Sequence, residues 1–397
     1  MTGSETIALY RQYVIGNYTR LPIVFVRGEG SYLWDADGRR YLDLFPGWGV
    51  DGLGHCHPRV VAAIREQAGK LLHVANNYYM EPQGRFAQIL SERSFGGQCF
   101  FCNSGAESNE GAMKLARLAT HAAAGKSRWK FITFENSFHG RTLAAISATA
   151  QPKYHKGFEP IVPGFLYAPF NDLKAVEALV DKETCAILVE PIQGEGGINV
   201  GTPEFLQGLR KICDREGMIL IFDEVQTGCG RTGKWFGYQH FGVTPDIMTL
   251  SKMLGGGAVI GAIVAQPKVA EKLAPGTHAS TFGGNPLACA AGIATFEAIE
   301  EENLLKNTVA VGRHTTTRLR AMKAKFPFIR EVRGKGLMIG MELDRPGKDV
   351  VARCLAEGLL INCTHDTVIR MLPAMTISRE IMDEGLDILE NSLAAEK

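Results

Sequence analysis

Residues 217–225 read GMILIFDEV, an apolar run that opens on a glycine and ends on an acid. A strand with one wet face alternates apolar and polar residues, whereas an unbroken apolar run needs cover on both faces. The run follows PEFLQGLRKICDREG (203–217), whose apolar residues recur at helical spacing. Similar short runs occur at CFFCN (99–103), WKFITFEN (129–136), CAILVEPI (185–192), DIMTLS (246–251) and AVIGAIVAQ (258–266). Helical stretches lie between several of them, including AESNEGAMKLARLATHAAA (106–124). Buried strands alternating with helices predict an α/β fold with a mainly parallel sheet flanked by helices.

The two chain ends read differently. Residues 24–44, VFVRGEGSYLWDADGRRYLDL, have the look of hairpin strands, and a long helical stretch from Pro286 leads into IREVRGKGLMIGMEL (329–343) and GLLINCTHDTVIRMLP (358–373). At 397 residues the chain also exceeds one compact core. The expected organisation is a large α/β domain over residues 61–285. Residues 1–60 and 286–397 would join as a smaller α+β domain.

Composition narrows the function. The net charge of +1 gives no reason to expect a nucleic-acid partner, and no apolar stretch approaches the roughly 20 residues that span a bilayer. The first residues lack the basic start and apolar block of a secretory signal, so the cytoplasm is the expected compartment. Nine scattered cysteines do not suggest a disulfide framework. Cys99 and Cys102 would face opposite ways on a strand, and His55 and His57 lack a third ligand, so no metal site is expected.

In an open α/β sheet, ligands gather beyond the carboxyl ends of the strands. The residues found there are Asn103–Ala106, Ser137–Arg141, Glu190, Asp223–Gln226 and Ser251–Lys252. The stretch GCGRTGK (228–234) matches the glycine-lysine spacing of a nucleotide phosphate loop, but Trp235 follows where Ser or Thr would hold magnesium. An ATPase is therefore the weaker reading. A better phosphate site is NSGAESNEG, where Ser104 and Gly105 turn the chain into a helix whose first N–H groups are unpaired. Ser104 as a plain N-cap fits the same residues. Asp223, directly after a buried strand, needs a cation: an arginine, or a protonated ring nitrogen. Lys252 in IMTLSKMLGGG reads alone either as a solvated lysine or as an amine placed beside a ligand. Taken together, phosphate cradle, acid and amine fit pyridoxal 5'-phosphate, whose aldehyde condenses with a lysine.

Over nearly its whole length the chain resembles the class III aminotransferases of PLP fold type I, and within them the members acting on N2-acetyl-L-ornithine. The stretches that carry this are GLGHCHP, FFCNSGAESNEGAMKLAR, FHGRTLAAISATAQPKYHKGFEP, VEPIQGEGG, FDEVQTGCGRTGK, SKMLGGG and STFGGNPLACAAG. The resemblance implies a seven-stranded, mainly parallel sheet and a homodimer. It implies that Lys252 binds the cofactor covalently and moves the proton, and that Asp223 keeps the ring nitrogen protonated. Gln226 would lie near the phenolic oxygen, Phe138 would stack on the ring, and Ser104, Gly105 and Ala106 would hold the phosphate. Thr281 would reach the phosphate in the neighbouring subunit. For substrates it implies Arg141 on the α-carboxylate of the amino donor, Arg370 on a second carboxylate, and Glu190 pairing with Arg370 when that carboxylate is absent. The implied reaction moves the ω-amino group of N2-acetyl-L-ornithine to 2-oxoglutarate, a step of arginine biosynthesis. Succinylornithine, succinyl-diaminopimelate, lysine-pathway, ornithine and 4-aminobutyrate donors are the alternatives. Trp48 stands where ornithine-type relatives have a tyrosine, and Ala258-Val259-Ile260 lacks the usual proline after the triple glycine.

Overall fold

The computed structural model describes residues 1–121 and 128–396. Its centre is a seven-stranded sheet in the order Gln98–Cys102, Gly261–Ala265, Ile247–Leu250, Ile219–Asp223, Thr184–Val189, Lys130–Phe134 and Phe165–Ala168. Gly261–Ala265 is antiparallel to both neighbours, and the remaining pairings are parallel. The reason is the short link from Leu250 to Gly261. Residues 251–260 are too few for the crossover that a parallel neighbour requires, so the chain doubles back.

Alternation along the strands splits the sheet between two cores. Ile187, Val189, Leu220, Phe222, Met248 and Leu250 face one, while Ala186, Leu188, Ile219, Ile221 and Ile247 face the other. Each large side chain so buried contributes about 1.5–3 kcal/mol relative to exposure. The helix Pro203–Glu216 covers the first face with Phe205, Leu206, Leu209 and Ile212. Thr202 caps its start by accepting from the Phe205 N–H, and Gly217 ends it in the left-handed region at φ +63°. The helix Gly105–Thr120 covers the second face with Ala112, Met113, Leu115 and Ala116. The last residues of that predicted helix, 122–124, lie outside the described residues.

The chain ends share a separate core. Leu359–Leu360 pairs in parallel with Arg40–Asp43, and Leu42 and Leu44 pack with Ile339, Met341, Leu319 and Leu386. An antiparallel sheet of Ile329–Lys335, Met338–Leu343, Val368–Met371 and Asn362–Thr364 carries this core. The helix Pro286–Glu301 packs its alanines and Phe296 into the first core, and most of the next helix, Leu304–Lys325, serves the chain-end core. We therefore propose that the changeover between domains falls near Glu302–Asn303, later than the expected 285/286 boundary. Among the described residues no helix is long and apolar enough to cross a membrane, and no His, Cys, Asp and Glu cluster could hold a metal.

Candidate active site

The parallel strands deliver their following residues to one cavity of about 160 Å³. That exceeds many times the roughly 10–15 Å³ one water occupies by the same measure. Gly105 and Ala106 reach it at the start of the helix Gly105–Thr120. Gly105 is required there: a Cβ would lie 2.9 Å from the Val225 side chain. Phe138 and His139 follow the strand Lys130–Phe134; Glu190 follows Thr184–Val189; Val225 and Gln226 follow Asp223; Ser251 and Lys252 follow Leu250.

Lys252 holds a left-handed backbone, φ +48°, unusual for a residue with a Cβ. Such conformations persist where surrounding structure enforces them. Burial lowers the affinity of its amine for a proton, and the nearby Arg370 adds to this. Glu195, Asp223 and Glu190 act the other way without cancelling it.

Asp223 is buried and heavily engaged. Its Oδ2 accepts from Asn109 Nδ2 at 2.7 Å and lies 2.8 Å from His139 Nδ1, while Oδ1 accepts from the Val225 N–H at 3.0 Å. Asn109 is oriented by Thr249, whose hydroxyl donates to Asn109 Oδ1 at 2.8 Å. His139 Nε2 is buried with no hydrogen-bond partner among the described residues. Gln226 Oε1 is likewise buried and unpartnered.

The expected Glu190–Arg370 pair does not form. Glu190 accepts the Phe138 N–H through Oε2 and the Gly194 N–H through Oε1, both at 3.0 Å. With no cation bonded to it, burial pushes its carboxyl up to about 7. Arg370, fully buried, pairs with Glu195: Nη1 to Oε1 at 2.8 Å and Nη2 to Oε2 at 3.3 Å. Asn362 Oδ1 and the Gly194 carbonyl take its remaining donors. Burial alone would raise the Glu195 carboxyl, but Arg370, with Lys252 and Gln226, outweighs it and holds the group low. The reason for the exchange is local. Glu190 ends the strand against backbone, while the short ribbon Ile192–Gln193 with Asn199–Val200 turns Glu195 back over the strand bearing Arg370.

The other predicted residues lie around this cavity rather than on its wall. Ser104 caps the helix, its Oγ accepting the Glu107 N–H at 3.1 Å. Trp48 is exposed, 5.4 Å edge-on to Phe45, with the Arg370 guanidinium 5.9 Å from its ring. Arg141 is exposed and lies over the Tyr154 ring. Thr281 lines a different surface pocket, with Asn103, Glu107 and His278. The GCGRTGK loop is packed by protein: Arg231 is buried against the Pro373 carbonyl, Lys234 donates to the Gln239 carbonyl, and Gly230 and Gly233 face Met375 and Val309. It offers no phosphate cradle.

Residues 13–393 match the family model for aminotransferase class-III. The chain belongs to the class-III aminotransferases. Among the relatives of this class-III aminotransferase is the acetylornithine aminotransferase of Caldanaerobacter subterraneus subsp. tengcongensis, 50% identical over 98% of this chain and 99% of its own. The acetylornithine aminotransferase of Methanocaldococcus jannaschii is 47% identical, covering 98% of both chains. Among solved structures, the ornithine aminotransferase from Toxoplasma gondii ME49 superposes with a TM-score of 0.95 at 35% identity, over 100% of this chain and 96% of that one. The acetylornithine aminotransferase from Elizabethkingia anophelis gives 0.88 at 32%, covering 99% of each. These likenesses give the ATPase reading no support.

Sequence reasoning on this aminotransferase missed Glu195, Asn109 and Asn362, and did not give His139 its place beside Asp223. Glu195 stood within the quoted VEPIQGEGG, which holds two carboxylates, and the first was taken. Asn109 had a signal too: an amide on a helix face made mostly of small and apolar residues.

Proposed function

We propose that this aminotransferase carries pyridoxal 5'-phosphate bound covalently through Lys252, and moves the δ-amino group of N2-acetyl-L-ornithine to 2-oxoglutarate. The products are N-acetyl-L-glutamate 5-semialdehyde and L-glutamate. The observation that carries this reading is a buried amine sharing one cavity with the Asp223 carboxylate and the open start of a helix.

The residues fit the group. The first N–H groups of the helix Gly105–Thr120 have no acceptor within the helix and suit a phosphate. The unpartnered Gln226 Oε1 suits a polar substituent on a ring, and Phe138 offers an aromatic face. When bound, the cofactor supplies an aldehyde that captures amines and a ring that accepts the electrons of a breaking C–H bond.

The remaining work falls to side chains. A neutral Lys252 Nζ is both nucleophile and base, and it accepts the proton leaving the substrate's δ-carbon. Asn109, His139 and the Val225 N–H aim the Asp223 carboxylate, so that it can hold a proton on the ring nitrogen. Ser104, Gly105 and Ala106 bind the phosphate. Arg141 takes the donor's α-carboxylate. Arg370 takes a carboxylate of 2-oxoglutarate, and Glu195, not Glu190, covers it when the donor has none to offer. Asn362 and the Gly194 carbonyl keep the guanidinium in place while Glu195 is displaced. Trp48 stands beside Arg370 as a wall of the donor site. We also infer a cytoplasmic homodimer in which the partner subunit's Thr281 completes the phosphate site. The exposure of Thr281, away from the cavity of its own subunit, supports this.

The acetylated donor is favoured by relatives near 50% identity, whereas the ornithine aminotransferase neighbour is at 35%. The test is the half-reaction without 2-oxo acid. The holoenzyme should absorb visible light, and N2-acetyl-L-ornithine should bleach it faster than ornithine, succinylornithine or 4-aminobutyrate. Lys252→Ala should lose the bleaching, a fall of roughly 10²–10⁴-fold or more for a base of this kind. Fastest bleaching by free ornithine would overturn the donor assignment, and unchanged bleaching in Lys252→Ala would overturn the lysine's role.

A further inference from the structure

Among the described residues the Arg141 guanidinium has only aromatic partners. Its carbon lies 4.2 Å from the centre of the Tyr154 ring and 5.4 Å from that of Phe138. Arg370, by contrast, is already forked onto a carboxylate. A guanidinium stacked on a ring uses its flat face and leaves its N–H groups, which lie in the plane, free to fork a carboxylate.

The ring beneath it is well held. Tyr154 closes the short turn Pro152–Tyr154, its N–H donating to the Gln151 carbonyl at 3.0 Å, and Gln151 Nε2 donates to the Ser137 carbonyl at 2.9 Å. The next residue, His155, places Nε2 2.9 Å from the Ile146 carbonyl and 2.8 Å from that of Thr149. The Tyr154 ring meets Phe138 edge-on at 5.7 Å, and Phe138 lines the cavity. Arg141 is thus referenced, directly and through the Tyr154 ring, to a residue on the cavity wall.

We propose that Tyr154 is a positioning residue for substrate selection: its ring fixes Arg141 at the distance from the cavity that suits an amino donor carrying a carboxylate at the end remote from the reacting amine. This rests on the reading of Arg141 given above. The Lys153 ammonium also approaches the ring, at 5.0 Å, but from farther away than the guanidinium.

The experiment compares Tyr154→Leu, Tyr154→Phe, Arg141→Ala and the Leu/Ala double variant as holoenzymes. Donors are N2-acetyl-L-ornithine and N-(4-aminobutyl)acetamide, which is the same molecule without its carboxylate. Calorimetry with N-acetyl-L-norvaline, which keeps the carboxylate and lacks the δ-amine, reads binding without turnover. Tyr154→Leu should raise KM for acetylornithine and Kd for the norvaline analogue about tenfold, with kcat changed less than about twofold. Tyr154→Phe should restore both constants, the carboxylate-free donor should be unaffected, and the double variant should be no worse than Arg141→Ala. If Arg141→Ala raises KM and Tyr154→Leu does not, the proposal fails while the Arg141 reading stands. An unchanged KM in Arg141→Ala overturns that reading and the proposal with it. An equal rise for both donors in Tyr154→Leu, or losses that add in the double variant, also overturns the positioning role.

Discussion

Three glutamates, two buried and one partly buried, show how partners decide what a carboxylate does. Glu195 meets Arg370 and is held low; Glu190 and Glu224 meet mainly backbone N–H groups and are pushed up to about 7 by burial. Glu224 accepts from the Gly237 and Tyr238 N–H groups and the Thr227 hydroxyl, tying down the loop after Asp223. Its raised value has a signed consequence. The folded protein holds this proton more tightly than the unfolded chain, so the stabilisation is complete below pH 4.5 and is lost as pH rises through about 7. The loss amounts to about 3 kcal/mol. Glu224→Gln should remove that dependence: in urea unfolding followed from pH 5 to 8, the variant should gain on the parent as pH rises. Glu190 titrates in the same window in both proteins and cancels from the difference. Parallel curves would show that Glu224 is ionised throughout. The residue types at these positions were legible in the sequence, but which glutamate would meet the arginine was not. Two acids five positions apart offer equal chemistry until a ribbon turns one of them back.

Elements were legible where pattern and length agreed. The long helices and the fully apolar strands stand where their periodicity puts them, because burial on both faces leaves little choice of sequence. The edge strand Phe165–Ala168 went unread: it is four residues long, half-buried and bounded by Gly164 and Pro169. The triple glycine after Lys252 has a backbone role. Gly256 and Gly257 have positive φ, and a Cβ at Gly256 would lie 2.5 Å from Thr295 Oγ1 on the helix Pro286–Glu301. The glycines build the tight return that makes the next strand antiparallel. Gly217 tests the same conformational argument in isolation, since its Cβ position is nearly open. Gly217→Ala keeps the chemistry and forces a methyl group into the left-handed cap, which should cost about 1–2 kcal/mol in denaturant unfolding with activity unchanged. No change in midpoint would mean that the helix end relaxes without cost.

At the scale of the whole molecule, the amino-terminal segment does not look finished as a lone chain. The helix Gly3–Tyr13 buries no residue, and Tyr13, Ile15 and Tyr18 are each more than two-thirds exposed. Together with the outlying Thr281, this fits the proposed homodimer, in which such surface is covered. Sedimentation should therefore give twice the 43.3 kDa chain mass, and removal of residues 1–21 should shift the equilibrium toward monomer and weaken cofactor retention. A monomer with full activity would overturn the shared site. What the sequence determined by itself was the α/β sheet, the family, and the inventory of a lysine, an acid and a helix start at the strand ends. Each of these is written in residues close together in the chain, where strand period and strand-end position suffice. What only the tertiary structure decided were the pairings across the chain: Arg370 with Glu195 rather than Glu190, Asp223 with Asn109 and His139, and Arg141 with Tyr154. Those partners come from different strands and helices, and packing alone brings them within hydrogen-bonding or stacking reach.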